Sequence, residues 1–87
     1  MNYFVYLLLS KNNNKALTYV GYTRDLKNRI KLHNKGKGAK FTRGRKWILI
    51  YKKKYKSKTE ALKNEYKLKN DLKKRNLIKQ RYLLKLK

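Results

Sequence analysis

The chain is 87 residues long, with 27 Lys and Arg against four acids, a net charge of +23. That length predicts one domain spanning residues 1–87, with a modest core, and the charge calls for an anionic partner, nucleic acid first, although coding bias towards Lys and Asn also inflates the count. With no Cys and a single His, disulfides, thiolate chemistry and multi-His zinc sites are excluded.

Residues 2–9 are rich in aromatic and aliphatic side chains and read as a strand. The run Phe4 to Leu9 is too short to span a membrane and lacks the flanks of a signal peptide, which predicts an intracellular protein with no membrane partner. Lys11-Asn12-Asn13-Asn14-Lys15 is a polar turn, and Leu17 to Tyr22 a second β-type run, together an antiparallel hairpin. Apolar residues on both faces of the first strand predict that it is central and covered on both sides.

Thr23 or Asp25 can cap a helix running to about Asn34, with Gly36 placed to end it. Gly36 to Lys46 is a basic loop holding three of the four glycines and one aromatic residue, Phe41. Lys37, Lys40, Phe41, Thr42, Arg43 and Arg45 are its candidate nucleic-acid contacts, since a charged track with a stacking face suits single strands. Trp47 to Tyr51 predicts a third strand, with a continuation to Tyr55. Ser57 or Thr59 opens a helix through about Lys69, and Asn70-Asp71 breaks the chain and caps a last helix from Leu72 towards Leu86. The order is ββαβαα, an α+β fold with a small three-stranded antiparallel sheet flanked by helices.

Polar groups on apolar stripes mark the candidate site, and Gly21, where a strand glycine admits close approach of backbone or ligand, is a further candidate nucleic-acid contact. With Glu65 at zero on a helical wheel, Ala61 falls near about −40°, Leu62 near +60°, Leu68 near −60° and Leu72 near −20°. Glu65 therefore points towards a buried face, where a carboxylate needs a buried ion pair or a bound cation. On the first helix Arg29 and His33 are i,i+4 neighbours on the side that should meet the sheet. Tyr6 and Tyr19, on consecutive strands, are candidate cross-strand neighbours, and Gly21 inside a strand suggests a close approach. Each has a plainer explanation: an ion pair, a structural His, core tyrosines. Together they make a phosphodiesterase set, with Glu65 for Mg²⁺, Arg29 for phosphate charge, and a Tyr with His33 to move a proton.

Phe4-Val5-Tyr6, Tyr19-Val20-Gly21, Arg29, His33, and Glu65 within ALKNEYKLK, in this order and spacing, resemble the GIY-YIG nuclease superfamily. The loop HNKGKGAKFTRGR is similar to that of its small stand-alone members, and the resemblance covers roughly residues 3–80. Phe4 stands where the first motif has Gly, and Val5 and Val20 replace Ile. The resemblance implies that Tyr6 and Tyr19 are the paired motif tyrosines, Arg29 the catalytic arginine, His33 its helper, Glu65 the metal ligand and Gly21 the motif glycine. Asn70 and Asn76 are candidates for a further Asn that some members carry near the end of the domain.

The expected function is therefore a metal-dependent endonuclease using Mg²⁺, with Mn²⁺ as a substitute. The expected substrate is single-stranded or branched nucleic acid, DNA before RNA, cut with little sequence preference because no further specificity module follows. No partner protein is indicated. The alternative is a non-catalytic nucleic-acid-binding module.

Overall fold

The computed structural model describes residues 2–12 and 15–86. Its elements are β1 (Tyr3–Asn12), β2 (Lys15–Thr23), α1 (Leu26–Asn34), a 3₁₀ turn (Lys40–Thr42), β3 (Ile48–Tyr55), α2 (Lys58–Lys69) and α3 (Leu72–Lys85). The expected ββαβαα order holds, and the α+β class with it. The tip of the predicted polar turn, Asn13 and Asn14, lies outside the described residues.

The three strands form one antiparallel sheet in the order β2-β1-β3, so the most apolar strand is central, as its two-sided burial requires. Val5 through Ser10 are all buried. Val5 and Leu7 project to one face, where they pack with Val20, Ala61 and Leu68 beneath α2 and α3. Tyr6 and Leu8 project to the other, against Trp47 and beside Leu26 and Ile30 of α1. An alternating strand thus serves two cores at once.

The β1–β3 register slips between Leu7 and Leu8, where Leu7 faces Tyr51 and Leu8 faces Leu49. The extra residue, Ile50, joins Tyr51 on the α2–α3 face, while Leu49 packs on the α1 face. Such a bulge re-aims side chains at the end of a strand. Trp47 lies just before β3 rather than within it. Asn34 Nδ2 donates to the Trp47 carbonyl at 3.1 Å, and the Trp47 amide donates to Asn34 Oδ1 at 2.6 Å, which fastens α1 to the start of β3.

Side-chain caps start each helix. Asp25 Oδ1 accepts from the Asn28 amide at 3.1 Å, Ser57 Oγ from Glu60 at 3.2 Å, and Asp71 Oδ1 from Lys74 at 2.9 Å. Of the two alternatives at each helix start, Asp25 rather than Thr23 and Ser57 rather than Thr59 takes the cap. Gly36, at φ 76°, follows α1 in the left-handed conformation that lets a helix end. Arg75 closes the end of α2, donating from Nε to Leu68 O and from a terminal nitrogen to Lys69 O, both at 3.0 Å.

Two inward positions read from the helical wheel fall outside the core. Leu62 and Leu72 are exposed, while Ala61 and Leu68 are buried. The buried stripe of α2 is centred near −50° on the wheel used above, so Glu65 stands about 50° off it, at the margin. That displacement opens its carboxylate to a cleft.

Candidate active site

Tyr6, Tyr19, Gly21, Tyr22, Arg29, His33, Gly38 and Glu65 line a cleft of about 170 Å³ at the β2 edge of the sheet. The two strands, α1, α2 and the loop after α1 all contribute. Every residue expected at the reacting centre is therefore brought to one place: Tyr6, Tyr19, Arg29, His33 and Glu65. Tyr6 and Tyr19 are not directly opposite. Tyr6 faces Gly21 and Tyr19 faces Leu8, so the two rings are diagonal neighbours on one face of the sheet.

His33 is buried and holds the centre. Its Nε2 lies 2.8 Å from the Tyr6 hydroxyl and its Nδ1 2.9 Å from Thr42 Oγ1. The Tyr19 ring meets it edge-on, with centroids 5.0 Å apart. Burial, and then the Arg29 guanidinium, lower its pKa, which keeps the imidazole neutral at pH 7. The Tyr6 hydroxyl is pushed far above the usual tyrosine value, first by burial and then by Tyr19, with Glu65 adding to the shift and Arg29 opposing it. Tyr19 is raised by burial and Glu65, again against Arg29.

The acids are sorted by position. Asp25 and Asp71 cap helices and Glu60 sits in the first turn of α2, each where a negative charge suits the helix dipole. Glu65 alone of the four faces the cleft, its side chain 15 % exposed and 3.8 Å from Lys69 Nζ. No cluster of three His, Cys, Asp or Glu occurs among the described residues. The donor set is thus one carboxylate in an open cleft, which fits Mg²⁺ completing its shell with water and phosphate oxygens, and does not fit zinc.

The basic loop divides in two. Lys37, Lys40, Phe41 and Arg43 are exposed, as a binding surface requires, and Phe41 stacks on Tyr19 at 6.2 Å between centroids. Thr42 is a correction: its side chain is fully buried under His33, out of reach of a nucleic acid. Arg45 is half-buried, with Nε donating to Ser10 Oγ at 3.1 Å, so it is tied to β1 rather than free on the surface. Gly21 and Gly38 are both close approaches. A Cβ on Gly21 would overlap the Tyr6 phenol, and one on Gly38 would overlap the His33 ring.

Two further hollows follow the β2 edge on either side of the cleft. One, lined by Tyr22, Arg24, Arg29 and Lys58, shares Tyr22 and Arg29 with it; the other, lined by Tyr19, Phe41, Lys69 and Arg75, shares Tyr19. Sequence reasoning passed over Arg24, Lys58, Lys69 and Arg75 because 27 cations offer no contrast by which to choose four. Asn70 and Asn76 do not line the cleft, and Asn70 Nδ2 instead donates to Tyr66 O at 2.8 Å.

The chain is 43 % identical over 67 residues to the UPF0213 protein RBAM_000440 of Bacillus velezensis, a match covering 76 % of this chain and 65 % of that protein. It is 44 % identical over 66 residues to the UPF0213 protein YazA of Bacillus subtilis, covering 75 % and 64 %. The solution NMR structure of the UPF0213 protein BH0048 from Bacillus halodurans superposes with a TM-score of 0.50 at 41 % identity, over 100 % of this chain and 86 % of that one. No helix among the described residues is long and apolar enough to cross a membrane. Residues 2–79 match the GIY-YIG catalytic domain, and the chain belongs to that nuclease-like family, whose substrates in general are nucleic acids.

Proposed function

We propose that this protein is a divalent-metal-dependent endonuclease that hydrolyses phosphodiester bonds in single-stranded or branched DNA. The observation that carries the proposal is the segregation of charge. In a chain of 27 cations and four acids, the one carboxylate not spent on a helix start faces a cleft shared with Arg29 and the Tyr6–His33 pair.

In this mechanism Glu65 holds the cation, which supplies Lewis-acid stabilisation of charge on the phosphoryl oxygens. Arg29 stabilises the same charge by hydrogen bonds aimed at the non-bridging oxygens. The attacking water forms its bond to phosphorus while its proton passes to the Tyr6 hydroxyl. Tyr6 gives its own proton to His33 as it receives the new one. This concerted exchange matters because burial holds the Tyr6 pKa too high for a standing phenolate at pH 7, and a neutral His33 has a ring nitrogen free to accept. The ester bond opposite the water breaks, its electron pair leaves on oxygen, and solvent protonates that oxygen.

The basic hollows along β2 support a polynucleotide track through the cleft, with Arg24 and Lys58 at one end and Lys69 and Arg75 at the other. The test is nicking of a supercoiled plasmid with Mg²⁺, with Mn²⁺, and with EDTA, by the parent and by Glu65→Gln. The expected result is metal-dependent nicking by the parent alone. Binding of DNA without any nicking in either metal would leave a nucleic-acid-binding module in its place.

A further inference from the structure

We propose that Thr42 is a positioning residue that fixes the tautomer of His33, placing the imidazole proton on Nδ1 and leaving Nε2 bare towards Tyr6. The catalytic meaning of this arrangement rests on the function proposed above, while the tautomer itself stands on geometry alone.

A threonine hydroxyl has one proton to give and two lone pairs to receive. Thr42 Oγ1 lies 2.9 Å from the Ala39 carbonyl oxygen, which can only accept, so the hydroxyl proton points there. Turning it elsewhere would leave two oxygens 2.9 Å apart with no hydrogen between them. The Ala39 amide donates to the same Oγ1 at 3.3 Å and takes one lone pair. The second lone pair faces His33 Nδ1 at 2.9 Å, so Nδ1 must be the donor of that bond. A neutral imidazole has one N–H. Nε2 is then an acceptor, and the Tyr6 hydroxyl, 2.8 Å away, donates to it. The proton order runs Tyr6 O–H to Nε2, and Nδ1–H to Thr42 O–H to Ala39 O. With the opposite tautomer, Nε2 would already carry a proton and could take none from Tyr6.

The surroundings hold Thr42 to this task. Its side chain is fully buried, and its carbonyl accepts from Trp47 Nε1 at 2.9 Å, while Trp47 is itself fastened to Asn34. Gly38, with no Cβ to strike the imidazole, lets the loop pass close beneath His33. The hydrogen bond made by one ring nitrogen sets which of the two carries the proton.

His33 is the single His of the chain, so a long-range ¹H–¹⁵N spectrum of uniformly labelled protein reports its tautomer without assignment ambiguity. The parent is expected to show protonated Nδ1 and unprotonated Nε2 at pH 7.5. Thr42→Val keeps the shape and removes the hydroxyl. It should shift protonation towards Nε2 and lower the turnover of a single-stranded DNA cut by about 10–100-fold, the range found when a partner that orients a metal-bound His is removed, at unchanged DNA affinity. Thr42→Ser should restore both. A parent spectrum with the proton on Nε2 overturns the proposal, as does Thr42→Val with parental tautomer and turnover. Should Thr42→Val fail to fold, the parent and Thr42→Ser spectra still decide it. A parent with the Nδ1–H tautomer that cuts no DNA would sink the nuclease proposal and leave the positioning of His33 standing.

Discussion

Gly21 on β2 lies directly opposite Tyr6 on β1, and the space where its Cβ would be is filled by the Tyr6 phenol. The same phenol reaches His33 through that gap. Gly21→Ala should therefore displace Tyr6, costing about 1–3 kcal/mol as overpacking in a tight interior does. Urea denaturation of the variant against the parent measures the cost. An unchanged midpoint would mean that the ring moves aside freely and the gap carries no constraint.

Much of this was legible from the sequence, for reasons that differ by residue. The central strand could be recognised because Phe4 to Leu9 has no polar face to turn to water, and Asp25, Ser57 and Asp71 advertise helix starts by chemistry alone. Glu65 stood out because acids are so scarce. Leu62 misled because a wheel with Glu65 at its centre assumes the carboxylate is the middle of the stripe, whereas packing set the middle between Ala61 and Leu68. Thr42 was hidden by its neighbours. Flanked by Lys40, Phe41 and Arg43, it looked like surface, and a 3₁₀ turn has the tight pitch to bury one residue in three.

Glu65→Gln should lower metal-dependent turnover by roughly a hundredfold or more, since losing even an outer-shell partner of a metal site costs about 10–100-fold. DNA binding should hold or tighten slightly, because a negative charge leaves the cleft proposed to take phosphate, and Lys69 is freed from its pairing. Turnover and affinity measured separately under Mg²⁺ check both halves. Parental cutting by the variant would make Glu65 a structural partner of Lys69 and no more.

The two tyrosines should not be equivalent. Tyr6 shares a hydrogen bond with His33 Nε2, whereas Tyr19 meets His33 through its ring edge and Phe41 through its ring face. Tyr6→Phe removes the proposed proton carrier and should cost about 10²–10⁴-fold in turnover, the range of general acid–base catalysis. Tyr19→Phe keeps the ring and should cost less. Single-turnover rates of the two variants side by side would show it, and the reverse order would move the proton transfer to Tyr19.

His33 also ties stability to pH. Its folded pKa is lowered from 6.5 by burial and Arg29, so the unfolded chain takes up a proton first as the solution is acidified. The contribution is fully present above about pH 6.5, declines below it, and is gone once the pH passes under the folded value. Urea unfolding at intervals from about pH 8 to about pH 5 should show the parent losing more stability than His33→Gln over this window. Parallel curves would place the acid sensitivity in other groups.

Phe41 should decide the preference among substrates. It is 55 % exposed, lies within ring-contact distance of Tyr19 and Trp47, and borders the hollow that holds Lys69 and Arg75. An exposed ring beside two cations offers a base a face to stack on and its phosphate a charge to meet, which requires a base free of its partner strand. Stacking of one base is worth about 1–3 kcal/mol by alanine substitution, so Phe41→Ala should weaken single-strand binding by roughly 5–150-fold. A paired base keeps its face inside the duplex, so duplex binding, set by the Lys and Arg track, should change little and fall with salt in parent and variant alike. The measurement is cutting and affinity on one labelled strand presented alone, in a flap and in a plain duplex. The parent should prefer the first two, and Phe41→Ala should erase most of that preference. If the parent cuts plain duplex fastest, or if Phe41→Ala weakens all three substrates equally, Phe41 is only a lid over Tyr19 and the substrate is read elsewhere.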